Sequence, residues 1–139
     1  MNLDRFLENF TSWAVGQPNI EGVALVGSHA REEANENSDV DLMILTTNAQ
    51  RYLDNKEWLT LFGEIERSQY EKWGTVETLR AFYRTGAEIE YNFAAPSWAA
   101  VPVDSGTNDV VSNGMKILFD PKRKFEMLLK NLRHNQTGK

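Results

Sequence analysis

The stretch that decides the fold is VALVGSHAREEANENSDVDLMIL, residues 23–45. It opens with a short apolar run and closes with another, and such runs are typical of strands covered on both faces. The second run nevertheless contains two aspartates, Asp39 and Asp41. Because a buried carboxylate is costly unless it is paired or binds a metal, these aspartates indicate a functional site inside the sheet.

The two aspartates are predicted to share one face of their strand. Side chains alternate across a strand, so Asp39 and Asp41 project together and the opposite face is apolar, formed by Val40, Leu42 and Ile44. Residues two apart on a strand lie about 6 to 7 Å apart along the backbone. This spacing suits two oxygen donors that converge on one or two hard cations such as Mg²⁺.

A second acidic strand is predicted at AEIEYNFA, residues 87–94. Its apolar residues alternate with Glu88 and Glu90, which share the polar face. If this strand lies beside the aspartates, either glutamate supplies a third carboxylate to the metal site. A solvated face of an edge strand would show the same alternation, so that interpretation stays open for both glutamates.

The segment before the aspartates has the features of a phosphate site. Gly27 allows close approach of the backbone to a phosphate, and Ser28 offers a hydroxyl and an amide at the start of a short helix predicted over residues 28–36. Arg31 is available to a phosphate or to a neighbouring acid. Together with the aspartates, these residues indicate a site for a metal-bound nucleoside triphosphate.

The composition limits the class of protein. The chain has 139 residues, 41% of them hydrophobic, as expected of one globular domain. The formal net charge of -5 argues against general binding of nucleic acid. The absence of cysteine excludes disulfides and thiolate metal sites. Without a signal peptide or an apolar run long enough to span a membrane, the expected location is the cytoplasm, with no membrane partner.

The remaining sequence predicts helices alternating with strands. Apolar residues at helical spacing indicate a first helix from Leu3 to Trp13 and a second from Asn55 to Lys72. A third helix is expected between Thr75, as N-cap, and Gly86, as C-terminal cap. A short edge strand is expected around Ala99 to Val103.

The C-terminal part predicts one more strand and helix. GMKILF, residues 114–119, has the pattern of a strand, and the Asp-Pro pair that follows it predicts a helix starting at Pro121. The expected fold is a single α/β or α+β domain over residues 1–139, with a mixed sheet of about four to five strands flanked by helices. Its core motif spans residues 22–94, its C-terminal strand and helix span 115–133, and residues 134–139 form a tail.

The segment GSHAREEANENSDVDL, residues 27–42, resembles the signature of the nucleotidyltransferase superfamily of DNA polymerase β. Small members of that superfamily carry Gly-Ser, a nearby Ala-Arg and Ser-Asp-hydrophobic-Asp-Leu at this spacing. The matching positions are Gly27, Ser28, Ala30, Arg31, Ser38, Asp39, Asp41 and Leu42. The resemblance implies a nucleotidyltransferase fold and a metal-dependent transfer of a nucleoside monophosphate, usually AMP from ATP, with pyrophosphate leaving.

The resemblance also implies a role for each matching residue. The implied contacts with the nucleotide are Gly27, Ser28, Arg31 and Ser38. Asp39 and Asp41 would bind two Mg²⁺ ions, with Mn²⁺ as the alternative ion. The family's third carboxylate on a later strand matches Glu90, as a ligand or as the base that accepts the acceptor's proton, and Glu88 is the second choice.

The resemblance leaves the acceptor open. An aminoglycoside-like small molecule and a protein are both compatible, since the smallest members of the superfamily include antitoxins that adenylylate a partner toxin. Residues after the third carboxylate do not resemble the large helical substrate domain of its polymerases. A non-catalytic nucleotide-binding module therefore remains an alternative, and either a homodimer or a complex with a helical partner is compatible with the sequence.

Overall fold

A six-stranded mixed sheet forms the centre of the molecule. The computed structural model describes residues 2–27, 29–30, 39–99 and 114–137, with residues 131–137 described by their backbone alone. The helices are α1 (Leu3–Val15), α2 (Ala49–Asp54) and α3 (Lys124–Thr137), and 3-10 segments cover Glu57–Phe62 and Pro96–Ala99. The strands are β1 (Ile20–Val26), β2 (Val40–Thr46), β3 (Ile65–Trp73), β4 (Val76–Tyr83), β5 (Glu88–Ala94) and β6 (Met115–Phe119).

The sheet has the strand order β3-β4-β5-β2-β1-β6. Strands β2 and β5 pair in parallel, while the other neighbouring strands pair antiparallel. The predicted mixed sheet flanked by helices is therefore confirmed. The expected four to five strands were too few, because two strands of the described chain had been assigned to helices.

Both helices predicted between residues 55 and 86 are wrong. The first is replaced by the 3-10 segment and β3, and the second by β4. The two strands form a hairpin around Gly74, which adopts φ +62. Leu79, Ala81 and Tyr83 are buried at a spacing of two, which is the period of a strand. The spacing of Val76, Leu79 and Phe82 that had suggested a helix is incidental to this alternation, and Gly86 lies in the next hairpin turn.

The C-terminal strand is confirmed as β6, but the helix after it differs from the prediction. It starts at Lys124 and continues to Thr137, through most of the predicted tail. Asp120 still caps it, because its carboxylate oxygens accept hydrogen bonds from the backbone amides of Phe125 at 3.2 Å and Glu126 at 2.9 Å. The predicted short helix at 28–36 and edge strand at 99–103 fall mostly outside the described residues, and Ala99 belongs to a 3-10 turn.

Hydrophobic cores cover both faces of the sheet. The first core packs α1, α2 and the Glu57–Phe62 segment against one face, which includes Val40, Leu42 and Ile44 of β2. The second core packs α3 and the Pro96–Ala99 segment against the other face, which includes Met43 and Leu45. Strand β2 is thus covered on both sides along most of its length, and its one charged residue, Asp41, lies near its start. None of the described helices is long and apolar enough to cross a membrane.

A pair of buried tyrosines ties the β3–β4 hairpin to the first core. The hydroxyl of Tyr83 donates a hydrogen bond to the carbonyl oxygen of Leu59 at 2.9 Å, and the Tyr83 and Tyr91 hydroxyl oxygens lie 2.9 Å apart. Since the single proton of Tyr83 is used by Leu59, Tyr91 is the donor in the second bond. Burial raises the pKa of Tyr83 to about 12 and raises that of Tyr91 well above its ordinary value.

We expect stability to fall under alkaline conditions. In the unfolded chain these tyrosines ionise near pH 10, whereas in the folded protein Tyr83 stays neutral until about pH 12. The contribution of these tyrosines to the free energy of unfolding is therefore complete below pH 10 and is lost as the pH rises towards 12. Tyr83 alone accounts for a loss on the order of 2 kcal/mol. Urea denaturation at pH 8, 10 and 11 measures this decline. In the exposed Tyr70→Phe variant the free energy of unfolding should fall with pH as in the wild type. An equal fall in Tyr83→Phe/Tyr91→Phe would contradict the assignment of the effect to the buried tyrosines.

Candidate active site

The register of three neighbouring strands assembles the acidic residues at one edge of the sheet. Asp41 of β2 lies opposite Val26, the last residue of β1, and pairs in parallel register with Glu90 of β5. Glu90 in turn lies opposite Arg80 of β4. Because side chains at paired positions project to the same face, Asp41, Glu90 and Arg80 form one row across the sheet. Asp39 precedes β2 on the same side.

Three carboxylates converge here, and we call Asp39, Asp41 and Glu90 the inner acids. One carboxylate oxygen from each lies within 4.8 Å of the other two. The Oδ1 atom of Asp41 is buried and has no hydrogen-bond partner among the described residues. Leaving such an oxygen unpaired is costly, and hard divalent cations bind clusters of carboxylate oxygens. The inner acids therefore fit a site for Mg²⁺ or Mn²⁺.

The electrostatics of the inner acids also favour a cation. Burial raises the pKa of Asp41, and burial together with the adjacent Asp41 carboxylate raises the pKa of Glu90. The nearby charge of Arg80 acts in the opposite direction on both groups. Because burial and like charge both penalise the ionised forms, a cation bound here would stabilise the carboxylates and displace the protons that the raised pKa values favour.

Gly27 makes room for the Asp41 carboxylate. It adopts φ +77, and a Cβ atom added there would lie 2.5 Å from Oδ2 of Asp41. Its carbonyl oxygen accepts a hydrogen bond from the Ala30 amide at 3.1 Å, which closes the turn after β1. The backbone conformation and the neighbouring Asp41 carboxylate therefore both favour glycine at this position.

The structure brings together only part of the site predicted from the sequence. Gly27, Asp39, Asp41 and Glu90 meet at the sheet edge, as the parallel register of β2 and β5 requires. Glu88 lies on the same strand but outside the inner acids, and it pairs with Arg80 instead. The other predicted contacts with the nucleotide lie outside the described residues: Ser28, Arg31 and Ser38.

Arg80 is the functional residue that the sequence analysis missed. Its Nη1 atom forms ion pairs with Glu90 and with Glu88, the latter at 2.6 Å, and lies 3.9 Å from Oδ2 of Asp39. The signal was present in the alternation of TLRAFY, which puts Arg80 on the face opposite Leu79 and Ala81. It was hidden because this segment had been assigned to a helix.

Replacing Gly27 should disturb the metal site more than the fold. In Gly27→Ala the new methyl group displaces the Asp41 carboxylate, so we expect Mn²⁺ affinity to fall by about tenfold or more. Gly74→Ala is the matched control, since Gly74 has φ +62 and a Cβ there meets no described atom within 4 Å. Both variants should lose similar stability from backbone strain. The measurement is the Mn²⁺-dependent rise in melting temperature, and an undiminished rise in Gly27→Ala would refute the steric argument.

Comparison with known proteins places this chain in a family. A solved structure with a similar fold is the crystal structure of an aminoglycoside 6-adenyltransferase from Bacillus subtilis, with a TM-score of 0.54 and 15% sequence identity. The match covers 68% of this chain and 35% of that one, so this chain spans about a third of that protein's length. No curated protein matches the sequence. The family model described as "Polymerase beta, Nucleotidyltransferase" matches residues 8–81, more than half of the chain. The chain therefore belongs to the polymerase β nucleotidyltransferase family.

Proposed function

We propose that this chain is an enzyme that transfers AMP from ATP to a hydroxyl group of an acceptor, with pyrophosphate as the leaving group. The observation that carries the proposal is the convergence of the inner acids, with a buried and unpaired Asp41 oxygen, on the scaffold of a nucleotidyltransferase family. Clusters of this kind hold the cations that accompany a triphosphate.

Each residue of the site has a proposed part in this reaction. Held by the inner acids, two Mg²⁺ ions, or Mn²⁺ in their place, would supply the positive charge that the triphosphate and the departing pyrophosphate need. Glu90 is either a ligand only or also the base that accepts the proton of the acceptor hydroxyl. The turn after β1 brings the phosphates to the inner acids, and its proposed contacts are Gly27, Ser28, Arg31 and Ser38.

The acceptor has two candidate classes. The similar structure is that of an aminoglycoside 6-adenyltransferase, which favours a cationic small molecule, and the acidic balance of this chain suits such a substrate. The match to that protein covers only a third of its length, however. A protein acceptor, as in an antitoxin that modifies a helical partner toxin, is therefore the second candidate.

The organisation of the chain is part of the same proposal. We propose one nucleotidyltransferase domain over residues 1–139, with the core motif at 22–94 and the C-terminal strand and helix at 115–133. It would act in the cytoplasm without binding membranes or nucleic acid in general. A homodimer and a hetero-complex with the acceptor protein are both compatible with this arrangement.

Loss of the metal ligands should abolish transfer without unfolding the protein. In Asp39→Asn/Asp41→Asn the carboxylates that hold the cations are gone, so transfer should fall by roughly 10²-fold or more. The melting temperature without metal should stay the same or rise, because repulsion among the inner acids is relieved. Asp54→Asn is the control, since Asp54 lies on α2, outside the inner acids, and accepts a hydrogen bond from Gln50 at 2.6 Å.

The assay uses ATP labelled on the α-phosphate, with an aminoglycoside panel and the product of the neighbouring gene as candidate acceptors. Label on an aminoglycoside or on the neighbouring protein distinguishes the two acceptor classes. Transfer that persists undiminished in the double variant would disprove the metal mechanism. Thermal stabilisation by ATP that is equal with and without Mg²⁺, and that survives loss of both aspartates, would instead support the non-catalytic nucleotide-binding module.

A further inference from the structure

Hydrogen bonds and ion pairs hold the side chain of Arg80 beside the inner acids. Its side chain is 24% exposed and lies on the sheet face that carries Glu90. Its Nε atom donates to Oε2 of Glu71 at 2.9 Å, and its Nη1 atom donates to Oε2 of Glu88 at 2.6 Å. The same Nη1 atom also contacts Oε1 of Glu90. The guanidinium thus bridges carboxylates from β3 and β5, the two strands that flank β4.

The acids around Arg80 therefore fall into two groups. Glu71 and Glu88, which we call the anchor acids, are outside the set that could hold a cation. They accept hydrogen bonds from the Nε and Nη1 atoms of the guanidinium and so restrict its rotation. Because the guanidinium is a rigid planar fork, fixing its Nε and Nη1 atoms fixes its plane, and with it the position of Nη1, which also contacts Glu90.

We propose that Arg80 is a positioning residue of the metal site. Held by the anchor acids, it orients the Glu90 carboxylate towards Asp41 and leaves the remaining lone pairs of Glu90 for the cation. It also selects Glu90 over Glu88 as the third ligand, because it engages Glu88 outside the inner acids. This inference rests on the proposed function only in that the inner acids bind a divalent cation.

Charge and geometry make opposite predictions for the loss of Arg80. If the residue were only a neighbouring positive charge, its removal would strengthen the attraction between the inner acids and a divalent cation. If it orients a ligand, its removal should weaken binding, because loss of a residue that orients a metal ligand typically costs 10- to 100-fold in metal affinity. The sign of the change therefore separates positioning from charge compensation.

The experiment is a titration of the full chain with Mn²⁺ alone, followed by electron paramagnetic resonance of the free ion. We expect Arg80→Gln to weaken Mn²⁺ binding at least fivefold, and Arg80→Lys, which keeps the charge but loses the fork, to weaken it as well. Arg84→Gln is the matched control, because Arg84 pairs at 3.4 Å with the exposed Glu64. It should bind Mn²⁺ like the wild type.

The assignment of the third ligand is tested in the same titration. Glu90→Gln should cost more Mn²⁺ affinity than Glu88→Gln, since only Glu90 belongs to the inner acids. An equal or larger cost in Glu88→Gln would overturn the selection of Glu90 by Arg80. Unchanged or tighter binding in Arg80→Gln, or any loss smaller than fivefold, would overturn the positioning role.

Circular dichroism and melting curves establish whether each variant is folded. If Arg80→Gln does not fold, Arg80→Lys decides: weaker Mn²⁺ binding supports positioning, and wild-type binding overturns it. A wild type that binds Mn²⁺ but transfers no nucleotide would refute the proposed function while leaving the role of Arg80 intact. A wild type that transfers AMP while Arg80→Gln binds Mn²⁺ normally would refute only the role of Arg80. A wild type that does not bind Mn²⁺ would overturn both.

Discussion

The parallel pairing of β2 with β5 is the constraint on which the site depends. It puts Asp41 beside Glu90 at one edge of a sheet whose faces are covered by two hydrophobic cores. Two carboxylates in a half-buried position repel each other and lose hydration, and burial and their proximity raise the pKa of Glu90. The cores hold the strands in register despite this repulsion, so the protein keeps together carboxyl groups whose ionised forms a cation would stabilise.

Residues of strand β4 and of the turn after β1 contact the acidic groups or leave space for them. Gly27 ends β1 with a turn that leaves space for Asp41, and Arg80 of β4 reaches across to Glu90. The hairpin that carries Arg80 is itself fixed to the first core through the hydrogen bonds of Tyr83 and Tyr91. The stability of the hairpin and the geometry of the metal site are therefore connected through one strand, with its apolar face in the core and its polar face at the site.

Local sequence patterns allowed the acidic residues of the site to be predicted, but not Arg80 or the β3–β4 hairpin that carries it. Asp39 and Asp41 were predicted because carboxylates that interrupt apolar strands are rare without a function, and Glu90 was preferred to Glu88 through the resemblance to the polymerase β superfamily. Arg80 was not predicted, because Val76, Leu79 and Phe82 recur at helical spacing and a short segment with mixed periods cannot be assigned from one chain alone. The same ambiguity turned the β3–β4 hairpin into two predicted helices. Pairing with β5, a contact between different segments, decides in favour of the strand.

The sequence by itself determined the chemistry of this protein: an acidic pair in a buried strand, a glycine turn before it and an acidic strand after it. These are properties of neighbouring residues, and alternation along a strand is enough to express them. Only the tertiary structure decided which glutamate lies with the aspartates and which basic residue contacts it. Glu88 and Glu90 are equivalent by alternation, and what separates them is the register with Asp41 and the position of Arg80, which depend on how distant strands pair.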